Sequence, residues 1–115
     1  MDDSAIDKTV YVQLEETAGA EFAAELVDTF VEEAPRMFAE LRSARAASDA
    51  ERFRRTAHSL KSNGNTFGAV RFAALARELE LRGLDTNPER DVAALAALEA
   101  EYKRAVAALK DLRHG

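Results

Sequence analysis

Apolar residues recur at spacings of three and four along almost the whole chain, which predicts five helices and no strands. The first helix is short, from about Ile6 to Thr17, and Gly19 is expected to end it as a C-terminal cap. The second begins near Ala20 and extends to about Ala47. Pro35 interrupts the second helix. Because proline has no backbone N–H, we expect it to kink or split that helix.

Capping residues mark the other three helices. Ser48 and Glu51 form a capping box that starts the third helix, and Gly68 ends it. The fourth helix stops near Gly83. The fifth begins with Asn87 as N-cap and Pro88 at the first helical position, and it extends to about Leu112.

The connections between the long helices are short, which favours antiparallel neighbours. The predicted fold is therefore all-α, an antiparallel up-down-up-down four-helix bundle with a short additional N-terminal helix. We expect a single domain over residues 1–115. The predicted core consists of Phe22, Leu26, Phe30, Phe38, Leu41, Phe53, Ala57, Leu60, Phe67, Phe72, Leu75, Leu79, Leu95, Tyr102 and Leu109.

Composition narrows the function. The chain is 47% hydrophobic and 32% charged, as expected of a globular domain. Its net charge of −5 argues against a general nucleic-acid binder. The absence of cysteine excludes disulfides and thiolate metal sites, and the isolated glycines cannot form a phosphate-binding loop. No segment is predicted to be a signal peptide or to span a membrane, so a cytoplasmic location is expected.

One histidine stands out as a candidate for chemistry. The chain has two, and His114 is one residue from the end, which leaves His58. Helical periodicity places His58 roughly 120° from the core stripe of the third helix, on an exposed face. Its neighbours on that face, three, four and seven residues away, are Arg54, Lys61, Ser62 and Asn65.

The charges around His58 indicate what it could carry. No acidic residue lies within one turn of His58 on the same helix, and Glu51 is two turns away at its start, so this face does not suit a general base oriented by a carboxylate. A phosphoryl group brings a charge near −2, which Lys61 and Arg54 could offset. An uncharged imidazole is a competent nucleophile near neutral pH. The plainer interpretation is an ordinary solvated histidine.

Three other classes of protein have to be weighed. A structural or adaptor bundle would keep its function in a His58→Ala variant. A helix-turn-helix DNA binder could use the basic residues of the third and fourth helices, but the acidic chain argues against it. These basic residues are Arg52, Arg54, Arg55, Lys61 and Arg71. A metal enzyme lacks the usual histidine and cysteine ligands.

The sequence around His58 resembles a known family. Residues 57–69, AHSLKSNGNTFGA, closely resemble the signature of histidine phosphotransfer (HPt) domains, A-H-x-L-K-G/S followed by small polar residues, an apolar residue, glycine and alanine. Residues 30–35, FVEEAP, and 75–80, LARELE, are similar to the second-helix segment and to the helix after the histidine. The resemblance thus covers most of the chain.

This resemblance implies a phosphocarrier without kinase activity. His58 would accept a phosphoryl group from an aspartate of one receiver domain and pass it to an aspartate of another, with Lys61 near the phosphoryl group. The implied partners are receiver domains of response regulators and hybrid histidine kinases, docking over the exposed face of the second and third helices. The receiver would supply Mg²⁺, so no cofactor or metal of the chain's own is expected. We expect a monomer that binds neither nucleic acid nor membrane.

Two departures from the family pattern concern the surroundings of His58. Ser62 stands where glycine is more frequent, and Gly64 where serine or alanine is, and both are expected to keep the surface small. Some members hold the histidine ring with a glutamine from a neighbouring helix. The only glutamine here is Gln13 on the first helix, so the sequence leaves open which group orients the His58 ring.

Overall fold

A computed structural model describes residues 5–114 of the chain, with side chains through Leu112. Within this range there are five helices and no strand, with bounds α1 Lys8–Ala18, α2 Ala20–Ala46, α3 Ala50–Phe67, α4 Val70–Arg82 and α5 Pro88–His114. Helices α2, α3, α4 and α5 each contact the next, α5 also contacts α2, and α1 packs against α2 and α3. The predicted bundle with an additional N-terminal helix is confirmed. No helix within the described range is long and apolar enough to cross a membrane.

Local capping sets the helix ends, with one correction. Asn87 caps α5 as predicted, because its Oδ1 accepts a hydrogen bond from the Glu89 backbone N–H at 3.1 Å. The cap of α3 is Asp49 and not Ser48, since Asp49 Oδ1 accepts from the Arg52 N–H at 3.1 Å. Ser48 has a left-handed backbone with φ of 54°, so the helix can begin only after it.

Gly68 joins α1 to the turn between α3 and α4. It ends α3 in the left-handed conformation, with φ of 77°, as a C-terminal cap. Its carbonyl accepts a hydrogen bond from the Asp7 N–H at 2.7 Å. A Cβ at this position would lie 2.7 Å from the Asp7 carbonyl oxygen and 2.8 Å from Val10 Cβ. Glycine is therefore required both by the backbone conformation and by the close approach of α1.

Pro35 does not split α2, which was one of the two outcomes predicted from the sequence. The helix is continuous from Ala20 to Ala46 with the proline inside it. Pro35 has no N–H to donate to the carbonyl of Val31, four residues earlier. The Tyr102 hydroxyl of α5 donates to that carbonyl at 3.1 Å instead. A side chain from another helix thus replaces the backbone donor that the proline lacks.

Aromatic side chains from four helices meet in the centre of the bundle. Phe30 packs against Phe67, Phe72 and Tyr102 with ring centroids 5.4 to 5.7 Å apart, and Phe38 packs edge-on against Tyr102 at 5.2 Å. Such tilted and edge-to-face contacts add to the stabilisation from burial. Most of the predicted core is buried, although Leu26, Leu75 and Tyr102 are only half-buried at its edge.

Phe22 is the one residue that was wrongly predicted to lie in the core. Its exposed fraction is 49%, whereas its neighbour Ala23 is fully buried. A spacing of exactly four residues drifts about 40° per step around a helix, so Phe22 lies about 80° away from Phe30. The buried face of α2 follows mixed spacings of three and four residues through Ala23, Val27 and Phe30.

A buried carboxylate links α2, α4 and α5 at the end of the bundle where α5 begins. Asp91 is fully buried, with Oδ2 3.0 Å from Arg45 Nε and Oδ1 accepting from Arg82 at 3.1 Å. Asp91 Oδ2 also accepts from the Asp85 backbone N–H at 3.1 Å. These contacts join the C-terminal ends of α2 and α4 to the first turn of α5, and they satisfy a charge that would be costly to bury alone.

Candidate functional site

His58 lies in the middle of α3 with its ring on the exposed surface of the bundle. Its side chain is 56% exposed, whereas Ala57 and Leu60 on the same helix are fully buried. The side on which His58 lies was correctly predicted from helical periodicity, because a single helix fixes the angle between neighbouring residues.

A carboxylate from the neighbouring helix contacts the imidazole. Glu80 of α4 places Oε2 2.6 Å from His58 Nδ1. Its other oxygen, Oε1, lies 2.7 Å from Lys61 Nζ. The Glu80 side chain is only 17% exposed and that of Lys61 23%, so both are more buried than the histidine. One carboxylate therefore bridges the histidine and the lysine.

Gly64 allows the close approach of α3 and α4 that brings Glu80 to His58. A Cβ at Gly64 would lie 2.9 Å from Phe72 Cδ2 and 3.2 Å from Ala73 Cβ. Gly64 is buried, so its small size serves helix packing and not, as we had predicted, a small surface. On α3, His58 lies six residues before the crossing point Gly64, and on α4, Glu80 lies seven residues after Ala73. The antiparallel register thus sets the two side chains at the same level.

The pKa of Glu80 is lowered from its ordinary value of 4.5. The largest cause is the hydrogen bond from Lys61, and the hydrogen bond from His58 and the charges of both groups act in the same direction. Partial burial opposes them by disfavouring the charged carboxylate, but it does not prevail. Glu80 is therefore ionised at neutral pH.

The ionised carboxylate determines which ring nitrogen of His58 can react. A carboxylate only accepts hydrogen bonds, so Nδ1 must carry the proton and donate to Glu80. In the neutral imidazole this leaves the lone pair on Nε2. Within residues 5–114, no other side chain forms a hydrogen bond or ion pair with the His58 ring. The arrangement presents an oriented nucleophilic nitrogen at the surface.

The other predicted site residues lie on the same helix but not in this contact network. Arg54, Ser62 and Asn65 are all exposed on α3. Their side chains form no hydrogen bond or ion pair with another residue in the part of the chain that the structure describes. The structure therefore brings Lys61 together with His58, through Glu80, and leaves the other three as surface around the ring.

Glu80 is the site residue that the sequence-based reasoning missed. Which group orients the His58 ring had been left open, because only carboxylates on the same helix were considered. Glu80 is 22 residues further along the chain, and nothing in its local sequence distinguishes it. The signal that could have found it is Gly64, since a glycine on the apolar face marks a close helix crossing from which the register can be counted.

Comparison with known proteins points to one family. A family model described as Hpt domain matches residues 25–111. The crystal structure of histidine-containing phosphotransfer protein B (HptB) from Pseudomonas aeruginosa PAO1 is similar in fold, with a TM-score of 0.84 and 30% sequence identity. The alignment covers 98% of this chain and 97% of that one. A search of curated proteins gave no significant match.

Proposed function

Since this chain belongs to the Hpt domain family and is a phosphorelay phosphocarrier, we propose that His58 is the residue that carries the phosphoryl group. The observation that supports this most is the pairing of His58 with Glu80, which holds one ring nitrogen and leaves the other exposed. No other histidine side chain lies in the part of the chain that the structure describes.

In the proposed reaction, Nε2 of His58 attacks the phosphorus of an aspartyl phosphate on a receiver domain. The Nε2–P bond forms as the bond from phosphorus to the aspartate oxygen breaks, and the electron pair leaves with the aspartate carboxylate. Nδ1 keeps its proton, so the ring becomes positively charged as the new bond forms. Glu80, 2.6 Å from Nδ1, stabilises that developing charge. Transfer to a second receiver is the same step reversed.

Lys61 has two roles in this proposal. In the free protein it donates to Glu80 at 2.7 Å, which keeps the carboxylate ionised and in place beside the ring. Because Lys61 is one turn from His58, its charge also offsets part of the charge of a phosphoryl group on Nε2. Arg54, one turn to the other side, adds a second positive charge, and Ser62 and Asn65 leave room for the partner.

The partners are receiver domains of phosphorelays. We propose that response regulators and hybrid histidine kinases supply them, that the receiver provides Mg²⁺ and the groups that activate its own aspartate, and that this chain has no kinase activity. Positioning of Nε2 in line with the P–O bond is then the main contribution of the chain to the rate. The monomeric state and the cytoplasmic location stay predictions.

Phosphoryl transfer to purified protein tests this assignment. A receiver domain phosphorylated with acetyl phosphate is mixed with the wild type and with His58→Gln, and acid-labile, alkali-stable label is measured on each. We expect label on the wild type alone. Label on His58→Gln would place the phosphoryl group elsewhere. No label on the wild type across a broad panel of receivers would favour an adaptor bundle.

Two further variants test the roles of Glu80 and Lys61. Glu80→Gln removes the charge that stabilises the ring, and we expect transfer to slow by about tenfold or more. Lys61→Ala should slow transfer or shorten the lifetime of phosphohistidine while the fold is kept. Glu78→Gln, an exposed position on the same helix, is the matched control. Unchanged kinetics in Glu80→Gln or Lys61→Ala would refute the corresponding role.

A further inference from the structure

Charge is distributed very unevenly between α3 and the rest of the molecule. The helix that carries His58 contains four basic residues and one acidic residue, a net charge of +3, within a chain whose net charge is −5. All other residues together therefore carry −8. Three of the four basic residues, Arg52, Arg54 and Arg55, lie in the first two turns of α3.

The surface between α2 and α3 carries a groove in two segments, which follow one another along α3. One segment of it, about 520 Å³ in volume, lies between Arg36 and Glu40 of α2 and Arg55 and Ser59 of α3. The second segment, about 140 Å³, is bounded by residues that include Thr29 and Glu33 of α2 and Asn63 and Thr66 of α3. Ser59 and Asn63 are one helical turn apart, so the segments adjoin. His58 is next to Ser59 in the sequence and lines neither segment.

The first segment is the basic end of this groove. Arg52 is paired with Glu40, and it also donates to the Ser43 hydroxyl at 2.8 Å, so its charge is largely balanced. Arg55 is exposed and forms no ion pair with another residue of the described chain. Arg36 is 80% exposed and lies 3.9 Å from Glu33, a distance at which an exposed pair contributes little. Both guanidinium groups are therefore available to an incoming partner.

The second segment is the acidic end. Residues 20–33 of α2 contain five acidic residues and no basic one. Glu33 lines the groove itself, whereas the exposed Glu25, eight residues earlier, lies about 80° around the helix and outside the groove. His58 therefore stands between a basic and an acidic end of one docking face.

Resting on the proposed function, we propose that this charge gradient fixes the orientation in which a receiver domain docks, and thereby selects among receivers. A receiver binds Mg²⁺ beside its phosphoaspartate, and Mg²⁺ requires carboxylate ligands, so the surface around that site is acidic. The matching partner extends this acidic surface over Arg36 and Arg55 and places basic side chains over Glu33. Complementary patches of this kind accelerate association and disfavour wrong orientations.

Charge-reversal variants at the two ends of the groove test whether docking depends on where the charges lie or only on the net charge of the protein. Arg55→Glu makes the basic end acidic, and Glu33→Lys makes the acidic end basic. Lys110→Glu and Asp111→Lys are matched controls on α5, where both residues are exposed. Transfer from the receiver that labels the wild type fastest is measured at sub-saturating concentration, from low to high salt.

We expect each groove variant to be slower than its control by about tenfold at low ionic strength, with the difference shrinking as salt rises. Reversing an acidic residue on the receiver should restore the rate with Arg55→Glu. If Glu33→Lys instead accelerates transfer, the groove attracts by net charge alone and the proposal is overturned. Rates equal to those of the controls would also overturn it. In both cases label on wild-type His58 would persist, whereas failure of the proposed function would abolish that label.

Discussion

The replacement of a missing backbone donor by Tyr102 gives a prediction that can be tested quantitatively. In Tyr102→Phe the aromatic ring stays but the hydroxyl that donates to the Val31 carbonyl is lost. An unpaired buried carbonyl costs about 1 to 3 kcal/mol. Because Tyr102 and Val31 are only half-buried, water can reach the carbonyl in part, and we expect the lower end, about 1 to 1.5 kcal/mol.

The same substitution should cost much less when residue 35 can donate. Pro35→Ala restores an N–H four residues after Val31, so the carbonyl regains its ordinary helical partner. In that background Tyr102→Phe should cost about 0.5 kcal/mol or less. The cost of Tyr102→Phe should therefore differ by about 1 kcal/mol between the two backgrounds, which is more than independent substitutions usually depart from additivity. Pro35→Ala alone should stabilise the protein, because a proline inside a helix is unfavourable.

Urea unfolding of the four proteins, followed by circular dichroism at 222 nm, measures this coupling. Leu60→Ala is a suitable control, since Leu60 is fully buried on α3 and takes no part in this bond. It should cost about 2 to 5 kcal/mol equally with proline and with alanine at position 35. If Tyr102→Phe also costs the same in both backgrounds, the hydroxyl does not replace the missing donor. Because burial raises the pKa of Tyr102 above 10, the hydroxyl remains a donor throughout the neutral range.

Three further predictions concern the core, the buried charge and the site. Phe22→Ala should lower the free energy of unfolding in urea by less than about 1 kcal/mol. Phe30 is nearly fully buried, so Phe30→Ala should lower it by about 3 to 5 kcal/mol. Equal losses in the two variants would place Phe22 in the core. Asp91→Asn leaves two arginines facing a neutral amide and should lower the unfolding free energy by about 3 kcal/mol, while Asp111→Asn, an exposed control, should change it by less than about 0.5 kcal/mol. The stabilisation from the lowered pKa of Glu80 is fully present above pH 4.5 and is lost as the pH falls through the folded-state value below it. Acid titration of stability should show this loss in the wild type and not in Glu80→Gln, and parallel titrations would contradict the ion pairs.

The fold could largely be predicted from the sequence because most of its determinants are local. Apolar spacing identified the helices, and Asn87 and Gly68 terminate theirs through groups only a few residues away. The correction at Ser48 moved the start of α3 by one residue, since Asp49 offers an equivalent side-chain acceptor. Phe22 shows the limit of this reasoning, because a regular spacing of four drifts away from the buried face.

The exposed position of His58 was likewise decided by the sequence alone, since the angle between residues on one helix is fixed by its period. The group that orients its ring was not. Glu80 reaches His58 only because α3 and α4 cross closely at Gly64 in one particular register. In the same way, Tyr102 reaches the Val31 carbonyl across 71 residues of chain. Contacts within a helix follow from its own sequence, whereas contacts between helices depend on how their surfaces pack, and that is determined only when the whole core is assembled.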